Sequence, residues 1–196
     1  MTTADVRSVV IAGHTGDLAT VRTGLHSADG AIRAAALGAL ERLDELDDTT
    51  LSSALDDPEV TVRRRAAELA ATHQAIDLVP ALADNDPRVV EVAAWACGEH
   101  ESNRDDVVDT LIELASSADD PLVREASVAS LGAIGDERAI EVIIAACSDK
   151  PAVRRRAVLA LAPFEGDAVE SAIEQALADR DWQVRQAAED LRRAQT

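Results

Sequence analysis

The sequence predicts an all-α chain: a right-handed solenoid of about six helical hairpins, with one further helix covering its N-terminal end. Three observations predict it. The first is a period. A Val-type position recurs as Ile32, Val62, Val89, Val123, Val153 and Val184, at spacings of 30, 27, 34, 30 and 31 residues. A repeat of roughly 20 to 50 residues marks a stacked architecture. The second is that columns counted from this position are uniform. Eleven residues before it stand Val21, Leu51, Leu78, Ile112, Val142 and Ile173, all aliphatic. Eight before it stand Gly24, Ala54, Ala81, Ala115, Ala145 and Ala176, and four after it Ala36, Ala66, Ala93, Ser127, Ala157 and Ala188, all small. Such offsets give each hairpin an apolar stripe and a small-residue crossing. The third is composition: 47% of the 196 residues are hydrophobic, yet only 2% are aromatic and Tyr is absent. An Ala/Leu/Val/Ile interior suits helices whose backbones approach closely.

Taken in order, residues 3–13 read as a lone helix ending at Gly13, a terminal element with only one neighbour. The hairpins follow as helices 17–26 with 30–44, 48–56 with 59–73, and 75–83 with 87–99. Then come 104–117 with 121–133, 137–148 with 151–162, and 167–178 with 182–194. The whole chain, 1–196, reads as one domain: a cap over 1–16 and repeats over 17–46, 47–73, 74–103, 104–135, 136–165 and 166–196. The turn at 98–104 accounts for the long spacing. Arg192, Arg193 and Gln195 end the last repeat where earlier ones carry Leu or Ala, as a C-terminal cap requires.

The helix signals agree with the columns. Asp29, Asp86, Asp120 and Asp181 stand three residues before the Val position, where a carboxylate accepts from first-turn amides. Pro87, Pro121 and Pro151 follow at the first helical position, where a missing N–H costs nothing. Asp57-Pro58 stands two residues early, and Lys150 occupies the cap position of repeat five. Gly16-Asp17, Gly135-Asp136 and Gly166-Asp167 read as the end of one helix and the cap of the next. Asp56-Asp57 and Asp105-Asp106 read as helix-start charges favoured by the dipole.

The formal net charge is −18, from 37 acidic and 19 basic residues, with Lys150 the only Lys. That balance disfavours nucleic acid and anionic membrane as partners. Solubility of a long stack accounts for it; a salty interior is the alternative. No apolar run approaches the roughly 20 residues that span a bilayer, and the first residues lack a signal-peptide pattern. Cys97 and Cys147 lie in helical patterns as small core thiols. The expected location is the cytoplasm, and the expected state a monomer or weak homodimer.

Candidate chemistry is sparse. None of His14, His26, His73 and His100 has a second His or Cys at i+3 or i+4, the spacing that turns two ligands to one side of a helix. Cys97, Glu99, His100 and Glu101 come nearest to a metal constellation but read as a helix end and turn. No nucleophile–base set and no phosphate loop is present. The expectation is no catalytic set, no metal and no cofactor.

Asp120-Pro121-Leu122-Val123-Arg124, Asp181-Trp182-Gln183-Val184-Arg185 and Pro151-Ala152-Val153-Arg154 carry a resemblance, with weaker copies at Ile32-Arg33 and Val62-Arg63. Over residues 17–195 the chain resembles HEAT-like repeats of the phycobilisome-lyase type. The resemblance implies a curved stack with second helices lining a concave face, and a ladder of Asp and Arg between repeats. Val90 replaces the Arg in repeat three and should interrupt it. Relatives of the deoxyhypusine hydroxylase kind need several His-Glu pairs, and only His100-Glu101 is present. Bilin lyases of this repeat type leave a tetrapyrrole lyase-like subunit, or a chaperone of an enzyme complex, as the alternative function. Helical-repeat DNA glycosylases present a basic face, which the net charge opposes.

The inward stripe falls at +2, +6 and +9 from the Val position: Ala34, Gly38, Glu41; Arg64, Glu68, Ala71; Glu91, Trp95, Gly98. It continues as Glu125, Ala129, Gly132; Arg155, Leu159, Ala162; and Gln186, Asp190, Arg193. Trp95 is either a binding anchor, with Ala129 and Gly132 leaving a hollow beside it, or a filler of the gap made by the long turn. In Arg63-Arg64-Arg65 and Arg154-Arg155-Arg156 the first members fit the ladder. The second members, Arg64 and Arg155, point to the groove among Glu68, Glu91 and Glu125. Mixed charge of this kind suits a protein or peptide. The sequence therefore predicts a non-catalytic protein-interaction scaffold whose partner is held by Arg64, Glu68, Glu91, Trp95, Glu125, Arg155 and Leu159.

Overall fold

The computed structural model describes residues 5–101 and 104–194, so part of the 98–104 turn and Gln195 lie outside the described residues. The fold is all-α, with the paired helices of an α-solenoid and no strand among the described residues. The helices are α1 (Val6–Thr15), α2 (Leu18–Leu25), α3 (Gly30–Arg42), α4 (Asp48–Leu55), α5 (Val60–Leu69), α6 (Val79–Leu82) and α7 (Pro87–Gly98). They continue as α8 (Asp105–Ser117), α9 (Pro121–Ile134), α10 (Ile140–Ala146), α11 (Pro151–Ala160), α12 (Asp167–Leu177) and α13 (Trp182–Ala194). Two compact units result, Met1–Ala81 and Leu82–Thr196.

In the first unit α1 packs on α2 and α3, α3 on α5, and α4 on α5. Gly13 does not end the first helix. It lies buried within α1, where an added Cβ would stand 2.7 Å from Ala39 Cβ, so its absence lets α1 meet the α3 backbone. The helix ends instead at Gly16, whose φ of 79° is left-handed backbone suited to glycine. In the second unit the second helices α7, α9, α11 and α13 pack successively, and α9, α11 and α13 each pack on their own first helix as well.

The small column explains that packing. Ala36, Ala66, Ala93, Ser127, Ala157 and Ala188 are all fully buried, and so is the Val-type column to within a few per cent. In repeat five the first-helix columns slip by one: Ile143 and Ala146 are buried, while Val142 is half-buried and Ala145 exposed. A shorter turn causes this, because Asp149 stands one residue closer to its helix than Asp57 or Asp179 does. In repeat four Leu111 takes the deepest position and Ile112 is half-buried. The third hairpin's first helix is only Val79–Leu82, preceded by a 3-10 turn over Ala70–Thr72.

Asp29, Asp86, Asp120 and Asp181 accept from the amides of Ala31, Arg88, Leu122 and Gln183, as caps should. Two expectations fail. Gly166 precedes α12 at a φ of 121°, a conformation that favours glycine, and Asp167 enters the first turn with no side-chain cap before it, because α11 has already ended at Ala160. Asp57 starts no helix: Asp56 closes α4, and Asp57 is drawn into the ladder.

The ladder is geometrically regular. The Nε and Nη2 of Arg33 donate to Asp57 at 2.8 and 2.6 Å, those of Arg124 to Asp149 at 2.6 and 2.9 Å, and those of Arg154 to Asp179 at 2.8 and 2.8 Å. The Nη1 of each turns back to a carbonyl of its own hairpin, Ser27, Ala118 or Asp149. One guanidinium thus closes its own turn and grips the next. Arg124 and Arg154 hold the Asp149 and Asp179 carboxyls below the usual range. The expected interruption is double. Repeat three offers Val90, and the aligned position of repeat four is Ala118, so neither half of a rung is present. At that junction the Ser130 hydroxyl donates to the buried Ala94 carbonyl at 2.6 Å.

Two stability tests follow. The Arg154 side chain is only 6% exposed, so Asp179→Ala should cost about 3 kcal/mol by stranding a buried charge. Arg154→Val/Asp179→Ala should cost less, as the Val90/Ala118 junction suggests. Urea unfolding of both variants decides it; a double variant worse than the single removes the stranded-charge explanation. The Ser127 hydroxyl is buried without a hydrogen-bond partner, where every other repeat has Ala. Ser127→Ala should raise the urea midpoint by an amount equivalent to about 1 kcal/mol, and a lowered midpoint would refute this.

Candidate partner-binding face

The solvent-exposed side of the second helices carries the stripe. In the first unit Arg64 and Glu68 are exposed; in the second Trp95 is 43% and Leu159 40% exposed, while Glu91, Glu125 and Arg155 are half-buried. Trp95 is therefore not core. Glu91 and Trp95 are four residues apart on α7 and share one face. Arg155 Nη2 and Arg156 Nε lie 3.9 and 3.8 Å from Glu125 Oε1, a loose cluster joining α9 and α11.

The +9 step of the stripe holds at Ala162 and Arg193, which are exposed, and fails in the earlier repeats. Ala71 is buried, Glu41 is engaged by His73, and Gly132 is covered by the next helix: an added Cβ there would stand 2.6 Å from Ala160 Cα. The hollow expected beside Trp95 from Gly132 is thus closed by α11. The flank expected for Arg64 also changes, because the Glu68 carboxylate pairs with Arg65 at 2.9 Å.

The first unit instead holds a groove of about 360 Å³ lined by Val10, Ala34, Ala35, Gly38, Arg42, Thr61, Arg64, Arg65 and Glu68. Ala34, Ala35 and Gly38 of α3 form a low wall. A Cβ at Gly38 would stand 2.6 Å from Arg65 Nη2, so the flexible guanidinium would have to shift. Arg42, Arg65 and Val10 were not marked by the stripe. A row at i, i+4 and i+8 from Ala34 reaches Gly38 and Arg42, and the +9 step passes over it.

Other features offer less chemistry. In the second unit a cleft of about 550 Å³ between α10 and α12 includes Cys147, Ser171 and Gln175. Burial pushes the Cys147 thiol up to about 11, leaving it protonated and a poor nucleophile at neutral pH. Cys97 is buried, while Glu99 and Glu101 are exposed. Among the described residues no three His, Cys, Asp or Glu side chains gather as a metal ion would need. No helix among them is long and apolar enough to cross a membrane.

Residues 76–162 match the family model described as HEAT repeats, so that stretch is HEAT-like. Among curated proteins none matches the chain in sequence. One solved structure that matches is the crystal structure of an engineered protein, 17% identical, with a TM-score of 0.46, covering 95% of this chain and 82% of the other.

His73 takes Glu41 off the stripe. Its Nε2 lies 2.9 Å from Glu41 Oε2 and its Nδ1 2.9 Å from Asp48 Oδ1, tying the first hairpin to the second. Burial alone would lower the imidazolium pKa, but the two carboxylates outweigh it and raise the pKa above its ordinary value. The raised pKa means the clasp stabilises fully below the unfolded value of about 6.5 and weakens as pH rises through the folded one. The urea-midpoint gap between wild type and His73→Gln should therefore be widest near pH 6 and close towards pH 9. A gap independent of pH would show that charge plays no part.

Proposed function

We propose that this protein is a non-catalytic adaptor that holds a polypeptide partner along its second helices, with Trp95 as the anchor. The supporting observation is the indole itself. In a chain with 2% aromatic residues, one of its two Trp side chains stands 43% exposed on the last turn of the second helix α7. Large rings at such places are typical binding anchors. Glu91 on the same face, the Glu125–Arg155–Arg156 cluster and the exposed Leu159 supply mixed charge and apolar surface, the pattern of a protein contact. Stacked helical repeats characteristically present extended surfaces of this kind. The free thiols Cys97 and Cys147 fit a reducing compartment such as the cytoplasm, and a net charge of −18 favours a monomer or weak homodimer.

Trp95→Ala tests the reading. Wild type and variant, each immobilised and matched for helical content by circular dichroism, are used to capture proteins from native lysate, followed by mass spectrometry. A specific client should be retained by wild type and reduced about tenfold or more by the variant. Equal retention would remove Trp95 as the anchor, and loss of helical content would show that its buried part supports the fold.

A further inference from the structure

We infer that the groove between α3 and α5 in the first unit is a receptor for a short acidic peptide segment, recognised by the guanidinium groups of Arg42, Arg64 and Arg65. This rests on the adaptor reading and adds the chemistry of the partner.

The observation behind it is an imbalance of pairing. The chain has 37 acidic and 19 basic residues, so an arginine has abundant carboxylates to choose from, and most find one. Arg22, Arg33, Arg124, Arg138, Arg154 and Arg192 all make ion pairs of 3.0 Å or less. Arg42 and Arg64 line one groove and are both exposed, yet neither makes an ion pair or side-chain hydrogen bond among the described residues. Arg65 lies against Gly38 and is partly neutralised by Glu68. With three guanidinium groups and one carboxylate, the groove is a positive site on an acidic protein.

Its shape selects the ligand. A volume of about 360 Å³ holds a few side chains, not a folded surface. The wall of Ala34, Ala35 and Gly38 lets an extended backbone approach α3, and the exposed Val10 gives one end an apolar lip. Planar guanidinium groups fit carboxylates with two parallel hydrogen bonds. A short ligand meets the three arginines alone. A long polyanion would also meet the acidic remainder of the chain, which disfavours nucleic acid. The fitting occupant is thus a peptide of several residues carrying Asp or Glu beside an aliphatic side chain.

The test pans a phage-displayed library of random decamers on wild type, on Arg42→Gln/Arg64→Gln and on Trp95→Ala, at near-physiological salt. Peptides selected on wild type should be enriched severalfold in Asp and Glu over the input. The Arg42→Gln/Arg64→Gln pool should lose that enrichment, and the best peptide should bind this variant at least tenfold more weakly by fluorescence anisotropy. No selection, or selection without acidic enrichment, overturns the proposal, as does equal binding to the arginine variant. So does a labelled decathymidylate binding as tightly as the best peptide, which would make the groove a general polyanion site. A homodimer dissolved by the arginine substitutions would make a second copy the occupant, again overturning it. Peptides lost with Trp95→Ala but kept by the arginine variant would preserve the adaptor and remove the acidic groove.

Discussion

Everything in this fold depends on how closely the second helices approach one another. The column four residues after the Val position is fully buried in all six repeats, and a larger side chain there would drive neighbouring helices apart. Glycine does the same where contact is tighter, at Gly13 against Ala39 and at Gly132 against Ala160. Close approach fixes the rest. Apolar side chains of the first helices must fill the space behind, hence the aliphatic column at Val21, Leu51 and Ile173. The +2 and +6 positions are left pointing away from both neighbours. Packing constrains those positions least, and they vary from Gly38 to Trp95. They are where a partner can be specified without disturbing the stack.

Charge in this chain does two separable things. In the rungs, Arg33, Arg124 and Arg154 use every direction of the planar guanidinium, two donors for the next hairpin's Asp and one for their own turn. Lys could not do this with a single ammonium, which explains why arginine dominates a chain with one lysine. The Val90/Ala118 junction shows the rung is replaceable when both halves go together. Stranding one charge is costly, whereas removing a matched pair is not. Where the rung is missing, Gly98 and Ser130 bring α7 against α9 and the Ser130 hydroxyl caps the Ala94 carbonyl. Packing takes over from electrostatics at that junction.

The fold was legible because its determinants repeat. Six copies of one column cannot be mistaken, and the caps at Asp29, Asp86, Asp120 and Asp181 follow from the same count. What the count could not give was local slippage. The one-residue shift in repeat five depends on the length of a single turn, and Asp57 was drawn from an apparent helix start to a partner 24 residues away. The exposure of the +2 and +6 positions was readable from the period, that of +9 only in part. Seven residues return an α-helix to within about 20° of the same face, so spacing alone could not show that Gly132 is covered by the next helix or that Ala71 falls in the 3-10 turn beyond α5. Which guanidinium Glu68 would choose is also unreadable from spacing, since Arg64 and Arg65 stand four and three residues before it, both within reach on a helix, and the structure pairs it with Arg65.

Range reconciles an acidic molecule with a positive groove. At physiological ionic strength charges more than about 8 Å apart are largely screened, so the net −18 does little to a ligand already seated among Arg42, Arg64 and Arg65. It acts on whatever extends beyond them. A ligand of a few residues ends before it meets the surrounding carboxylates, whereas a polyanion cannot. Global acidity and local basicity therefore work together. In the proposed reading the first opposes long anions, and the second retains a short acidic segment through directed hydrogen bonds that screening scarcely weakens at contact. A groove made basic by excess arginine on a basic protein would lack that discrimination. Two unpaired arginines on an acidic one achieve it.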